Sequence, residues 1–375
     1  MRQRSTLRGS RAGGAAIVLL AIAAVGCTDR AAERARSDLE VGLAEAGGVA
    51  FQIHDGLAAV RDAEPGRLEL WAAAPVLDIT ADAAAGATRD WIIEIRNSLP
   101  DATLTIASST AQGALATFDA TALPTRRTFQ VALPDSASTV LHLGPARGEP
   151  AEPFCFVALG DVQNGVDTLP DIFVRLAAEP RVEFVLGMGD LTQDGSVEQM
   201  DHFQSVLEAL PLPLYSTIGN HDAPEDTPWH ELFGRSSERF AYRGVQFSLI
   251  DSASSTVTEQ VYDWLDIWLA DARDRVHIVT THMAPIDPVG VRNGSFASRA
   301  EAGKILSKLA AGQVDLTLYG HVHSYYSFEN AGIPALITGG GGAFEEQLDG
   351  IGRHYLVIDV DPAKGVLSSR FVGVD

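Results

Sequence analysis

The feature that most restricts the fold is an alternation of apolar strands and amphipathic helices that begins at Phe154, with polar donors placed just after the strands. Strand-type runs are predicted at 154–160, 183–189, 212–218, 276–281 and 314–319, and helical patterns at 168–179, 197–210, 258–272 and 299–311. Such alternation selects an α/β architecture. In open sheets of this kind ligands gather outside the carboxyl ends of the strands, so residues far apart in sequence meet in space. The strand ends carry Asp161 and Gln163 in G-D-V-Q, Asp190 in G-M-G-D, Asn220 and His221 in G-N-H-D, His282 in T-H-M-A-P, and His321 and His323 in G-H-V-H. His221 aside, these are oxygen and nitrogen donors with one shareable carboxylate. One ion takes about four to six ligands, so the set suits two metal ions better than one.

Residues i and i+2 of an extended segment point the same way, so Asp161 with Gln163, and His321 with His323, are each expected to present two donors to one side. Gly160, Gly189, Gly219 and Gly320 stand beside the donors, where a chain leaving a strand often needs a backbone conformation that a side chain would hinder. Any one motif alone reads as an ordinary strand-end turn, rich in Asp, Asn and Gly. The whole set in this order does not.

In order and spelling these motifs resemble the calcineurin-like metallophosphoesterase superfamily, in a bacterial exported form with a D-x-Q first motif. The likeness covers roughly residues 154–360. The resemblance implies an αββα sandwich of two facing sheets, with Asp161, Gln163 and His323 on one divalent ion, Asn220, His282 and His321 on the other, and Asp190 bridging. It implies hydrolysis of phosphomonoesters or phosphodiesters by water activated between the ions, with His221 stabilising or protonating the leaving oxygen. The ions are expected among Mn²⁺, Fe, Zn²⁺ and Mg²⁺, with Mn²⁺ favoured, because Gln163 offers a harder amide oxygen where many members have His. Purple acid phosphatases carry Tyr three residues after the bridging Asp, and protein Ser/Thr phosphatases carry Asp there; here it is Gln193, followed by Asp194. No iron-tyrosinate chromophore is expected, and the Asp–His dyad is in doubt. The alternative is a non-catalytic binding protein that keeps the fold, and loss of a bridging or histidine ligand would favour it; none is lost.

The first 26 residues read as an export signal: Arg2, Arg4, Arg8 and Arg11 precede an apolar stretch from Ala15 to Val25, and Ala24-Val25-Gly26-Cys27 resembles a lipoprotein cleavage box. Cys27 is therefore expected to carry lipid and to tether the protein to the bacterial cell envelope. Removing the signal takes the net charge from −21 to −25. So acidic a surface repels phosphate backbones, so a small phosphorylated substrate is expected as partner and nucleic acid is not. Cys155 lies in the apolar run Phe154 to Leu159 and reads as a small buried hydrophobe. Lipidation of Cys27 argues against a disulfide between the two.

Residues 27–65 read as a tether with a short helix near Ala31 to Ala46. Residues 66–147 read as a small antiparallel β-sandwich, punctuated by turn residues about every ten positions. The metallophosphoesterase domain is expected over 153–375, and since every donor lies within it, the β-rich domain is expected to be dispensable for chemistry. Ser196-Val-Glu-Gln199 and Ser298-Arg-Ala-Glu301 fit capping boxes. For the substrate, Arg292 is a candidate phosphate contact and Tyr325, beside Tyr326, a candidate stacking platform. His230, in the loop after G-N-H-D, is the unassigned histidine singled out as a further candidate.

Overall fold

The computed structural model describes residues 30–374 apart from 109–111, 116, 119–122, 136, 177, 180, 291–293 and 346–348. The signal segment, Cys27 and Arg292 thus lie outside the described residues. A helix, α1 (residues 30–37), comes first. The strands β1 (Leu43–Ala46), β2 (Val49–Ile53), β3 (Ala58–Glu64), β4 (Arg67–Ala72), β5 (Leu77–Ala83), β6 (Asp90–Arg96), β7 (Ala102–Ser108), β8 (Gln112–Leu115), β9 (Thr117–Phe118), β10 (Arg127–Ala132) and β11 (Ser138–Pro145) form an all-β domain. Its two sheets run β1-β2-β5-β11-β7-β8 and β3-β4-β6-β10-β9. Period-two alternation builds its core: in β6, Trp91, Ile93 and Ile95 point inward. Trp91 meets Phe51 edge to face at 4.8 Å.

Two expectations need correction here. Residues 43–64 are not tether but supply three strands of the sandwich, and β4 pairs with β6 in parallel, so the sandwich is not wholly antiparallel. Short runs such as V-A-F-Q-I alternate correctly but are too brief among Ala and Gly to stand out in sequence.

The second domain contains β12 (Phe154–Leu159), α2 (Leu169–Leu176), β13 (Val182–Gly187), α3 (Val197–Glu208), β14 (Leu214–Ser216), α4 (Trp229–Leu232), β15 (Glu238–Tyr242), β16 (Val245–Ile250) and α5 (Glu259–Asp271). It continues through β17 (His277–Thr281), α6 (Arg299–Ala311), β18 (Leu316–Tyr319), β19 (Tyr325–Asn330), β20 (Ile333–Thr338), β21 (His354–Asp361) and β22 (Gly365–Gly373). The sheets are β14-β13-β12-β21-β22 and β15-β16-β17-β18-β20-β19, parallel through β14-β13-β12 and through β16-β17-β18-β20. They face each other across an aromatic layer in which Phe184 lies 5.8 Å from Phe156 and 5.6 Å from Phe247. Helices α2 and α3 cover the outer face of the first sheet through Ile172, Phe173, Phe203 and Leu207. Helices α5 and α6 cover the second through Val261, Leu265, Ile305 and Leu309. The result is the αββα sandwich.

The capping box at Ser298 forms in part and the one at Ser196 does not form. Ser298 accepts from Glu301 N at 3.3 Å, but the Glu301 carboxylate goes to Thr256 and Val257 N instead of back to Ser298. Ser196 makes no side-chain cap, and Gln199 Oε1 takes Gln193 N and Asp194 N, bracing the loop after Asp190.

The domains are joined by buried polar bonds. Asn97, at the end of β6, lays its amide along the open edge of β14: Oδ1 accepts Leu214 N at 2.9 Å and Nδ2 donates to Leu214 O at 2.7 Å. Helix α1 is fastened to the second domain by Arg34, whose Nε donates to Asp251 Oδ2 at 2.7 Å in a buried pair. Asp38, fully buried, accepts Ser236 N at 2.6 Å and Ser237 N at 3.1 Å.

Candidate metal centre

Five parallel strands point their carboxyl ends at one place and deliver the donors: β12 leads to Asp161 and Gln163, β13 to Asp190, β14 to Asn220 and His221, β17 to His282, and β18 to His321 and His323. The strand ends are stitched together. Asp161 N donates to Gly189 O, Gln163 N to Asp190 O, and Gly320 N to His282 O. Glycine serves mainly for clearance. A Cβ on Gly219 would overlap Asp190, and one on Gly320 would stand 2.7 Å from Asp161 Oδ2. Of the four glycines beside the donors only Gly189 has a positive φ (79°). Instead the donors themselves are left-handed: Asp161 (61°), Gln163 (45°), Asp190 (54°) and His321 (66°). The extended i, i+2 geometry expected for the first motif is therefore not what presents Asp161 and Gln163, since a 3₁₀ helix, Gln163–Thr168, begins there.

Asn220 Oδ1 lies 2.9 Å from His282 Nε2 and 2.9 Å from His321 Nδ1, and the two ring nitrogens are 3.2 Å apart. Asp190 Oδ2 is 3.4 Å from His282 Nε2. Candidate ligand atoms of Asp190, His282 and His321 all lie within 4.8 Å of one another. His282 Nδ1 donates to Met188 O at 2.7 Å, so in the neutral ring Nε2 turns a lone pair toward the carbonyl-type oxygen of Asn220, whereas a protonated ring donates to it. Acceptors facing each other in this way repel unless a positive charge sits between them, and a histidine bonded through its far nitrogen to a backbone carbonyl is the usual arrangement of a metal ligand. The electrostatics agree. Burial alone would lower the His282 pKa, but Asp190 and Asp161 raise it above the ordinary value. Burial would likewise raise Asp190, yet His282 and the bond from His221 N hold its carboxyl well below the usual carboxylate range. The pocket attracts cations.

The other half follows the same pattern. His323 Nδ1 donates to Phe344 O at 2.6 Å, and its Nε2 faces Asp161 Oδ1 at 3.4 Å and the Gln163 amide at 3.3 Å. Gln163 turns its amide nitrogen toward Asp190 Oδ2 at 2.9 Å, and a half-turn of the amide would bring its oxygen there. The residues present therefore fit divalent metal by donor type and placement.

His221 stands beside the cluster. Its Nδ1 donates to Gln193 O at 2.6 Å, so a backbone carbonyl orients the ring where an Asp partner was in doubt; Asp194 instead accepts Ser196 N. Asp222, unremarked in the sequence although it closes G-N-H-D, is fully buried and accepts Leu191 N, Thr192 N and Gly219 N, tying the Asp190 and Asn220 loops together. Burial and the neighbouring Asp190 raise its carboxyl above the ordinary value against those bonds. Tyr325 packs its ring on Phe371 at 5.3 Å and on His354 at 6.2 Å, and Tyr326 donates to Asp349 at 2.8 Å. His230 bonds Asp38 at 3.0 Å, away from the donors. Cys155 is buried and free; burial, then its bond to Asp359, pushes the thiol up to about 12.

Residues 155–325 match the model of the calcineurin-like phosphoesterase family. A 3',5'-cyclic adenosine monophosphate phosphodiesterase of Pseudomonas aeruginosa is 28% identical over 181 residues, 43% of this chain and 63% of that protein. A 3',5'-cyclic-nucleotide phosphodiesterase of Nostoc sp. is 26% identical over 157 residues, 39% of this chain and 58% of that protein. The chain thus spans about three fifths of these relatives' length. Among solved structures, a purple acid phosphatase from yellow lupin (Lupinus luteus) seeds superposes with a TM-score of 0.52 at 14% identity, over 80% of this chain and 70% of that one. That share is larger than residues 154–375 can supply, so the shared fold reaches into the all-β domain. Matched segment, fold and donor set together support membership of the second domain in the calcineurin-like phosphoesterase superfamily.

Proposed function

We propose that this protein is a metal-dependent phosphoesterase that hydrolyses small phosphodiesters or phosphomonoesters at a dinuclear centre. The observation that carries this reading is the crowding of Asn220 Oδ1, His282 Nε2 and His321 Nδ1 within 3.2 Å beside the Asp190 carboxylate. Asp161, Gln163 and His323 would hold one ion, Asn220, His282 and His321 the other, and Asp190 would be shared. When bound, two such ions supply an activated water and neutralise charge on the phosphate.

The remaining work falls to the chain. Met188 O and Phe344 O fix the tautomers of His282 and His323, so their ligand nitrogens stay directed at the cluster without reorganising. Gln193 O holds the Nδ1–H of His221, so the imidazolium form carries its second proton on Nε2, from which it can pass to the departing oxygen and leave the neutral ring behind. Names of relatives as cyclic-nucleotide phosphodiesterases favour a diester, and the acidic charge favours a small substrate over a polymer. We further propose that the enzyme is exported and anchored through lipid on Cys27.

Metal-stripped protein reconstituted singly with Mn²⁺, Mg²⁺, Zn²⁺ or Fe²⁺ and assayed on model mono- and diesters tests the reading. Activity with at least one ion, abolished by chelation, is expected. Hydrolysis no faster than the buffer control with every ion would sink it. Cys27→Ser should release the protein from the membrane fraction of a bacterial host; unchanged fractionation with normal cleavage would refute the anchor.

A further inference from the structure

Two loops rest on the histidines of the G-H-V-H motif, and each holds a large apolar side chain out in solvent. The loop after His282 is closed at its base by a bridge between Ala284 and Ser295. Its returning limb lies so near the His321 ring that a Cβ on Gly294 would stand 2.8 Å from His321 Cδ2. Ile286, on the outgoing limb, is 49% exposed. The second loop follows Gly339–Gly342 and is pinned to the other histidine, with Phe344 O accepting from His323 Nδ1 at 2.6 Å. Further along, Asp349 accepts Ser324 Oγ at 2.6 Å and Tyr326 OH at 2.8 Å. The backbone at Phe344 is held by Ala343 N donating to Asp161 O and by Phe344 O accepting from His323, yet the Phe344 ring is 80% exposed, the highest value among the exposed large hydrophobic residues described.

A phenylalanine in that position forgoes the burial its ring normally gains and packs no core. Its backbone sits one hydrogen bond from a residue of the donor cluster. Both loops touch donor residues and so border the cluster that would receive the phosphate. Resting on the phosphoesterase reading above, we propose that Phe344, with Ile286 on the neighbouring loop, clamps a planar aromatic group of the substrate, such as a nucleobase or an aryl leaving group. The Phe344 ring offers a flat apolar face suited to stacking, which tolerates any base because every base presents a π-face.

The test uses the full chain loaded with Mn²⁺ and compares Phe344→Ala, Phe344→Leu and Phe344→Trp with the parent. Two substrates carry rings, 3',5'-cyclic AMP and bis(p-nitrophenyl) phosphate; one, glycerophosphoethanolamine, carries none. Phe344→Ala should raise KM for the ring-bearing esters on the order of tenfold or more while leaving KM for glycerophosphoethanolamine unchanged. Phe344→Trp should behave as the parent, and Phe344→Leu, which keeps bulk without a ring face, should follow Phe344→Ala. An equal change on both substrate classes, no change on either, or a leucine variant as good as the parent would overturn the clamp. A parent active only on glycerophosphoethanolamine overturns the clamp alone. A parent inactive on all three diesters but active on a model monoester overturns the clamp alone, and one inactive on model mono- and diesters with every ion removes the phosphoesterase reading and the clamp with it.

Discussion

Asn97 offers a quantitative test of how the all-β domain supports the site. Its side chain is 1% exposed and makes three bonds: to Leu214 N, to Leu214 O and to Ala72 O at 2.8 Å. Strand β14 is an edge strand, and without Asn97 its outward N–H and C=O would be buried unpaired. Asn97 also has φ 58°, which glycine adopts freely, so Asn97→Gly removes the bonds without adding backbone strain. Leaving a buried donor or acceptor unmet costs about 1–3 kcal/mol each. Three such groups, with some relief by entering water, put the expected loss at about 3 kcal/mol. Asn97→Leu should lose roughly 1 kcal/mol more, because it adds a bulky side chain at a left-handed backbone position. Urea unfolding of the full chain measures both, and metal affinity should fall alongside, since β14 leads into Asn220. A loss under about 1 kcal/mol for the glycine variant, or a leucine variant more stable than it, would refute this account.

Asp190→Asn should leave the fold intact and weaken binding at both halves of the centre together, with activity down by several orders of magnitude; metal content and activity after identical dialysis measure this. Arg34→Met strands the buried Asp251 carboxylate, which keeps only its bond from Ala253 N among those described, so unfolding should become easier by about 3 kcal/mol. A midpoint in urea equal to that of the parent would show the pair to be neutral. His277 is buried, with a folded pKa of about 4 against an ordinary 6.5, chiefly through desolvation. Its neutral form is the folded one, so its contribution is present above about pH 6.5 and is lost as pH falls toward 4, by roughly 3 kcal/mol in all. His277→Gln should flatten the stability profile across that window, and an unchanged slope would assign the acid sensitivity to other groups.

Local signals were legible in the sequence and distant ones were not. The helix at 299–311 occupies the residues its apolar spacing indicates, and the strands before each donor appear where apolar runs meet glycine. Strands end a residue or two early where the donor turn takes over, as at β13, which stops at Gly187 before Met188 and Gly189. Residues 43–64 escaped notice because Ala and Gly dilute their alternation. The joints between parts escaped for a different reason. Asn97 meets Leu214 across 117 positions and Arg34 meets Asp251 across 217, and nothing local to either residue announces its partner. Those joints bear on the expectation that residues before 153 are dispensable. The donors do all lie after them, but Asn97 holds Leu214 of β14, the strand that leads to Asn220, and α1 is fastened to Asp251 after β16, so the chemistry and part of its support occupy different parts of the chain.

The backbone at the donors favours a chemical role over a structural one. Left-handed φ at Asp161, Gln163, Asp190 and His321 costs about 1–3 kcal/mol apiece in general, less for Asp and His than for Gln. Glycine would relieve that cost at every one of these positions, and the chain already uses it at Gly189, next to Asp190. The conformation is imposed by the interlocked strand ends: Gln163 N and Val162 N both donate to Asp190 O, and His321 N donates to Asp161 Oδ2 at 2.9 Å. A fold that needed only the turns would be served better by glycine. Retaining an acid, an amide, a second acid and an imidazole there makes sense if their side chains must stand fixed before anything binds. Preorganised donors of that kind spare a metal centre the reorganisation that looser loops would require. The strain at these four positions accompanies the donor roles proposed for them, although six other described residues, Asn97 among them, share the conformation without a donor role.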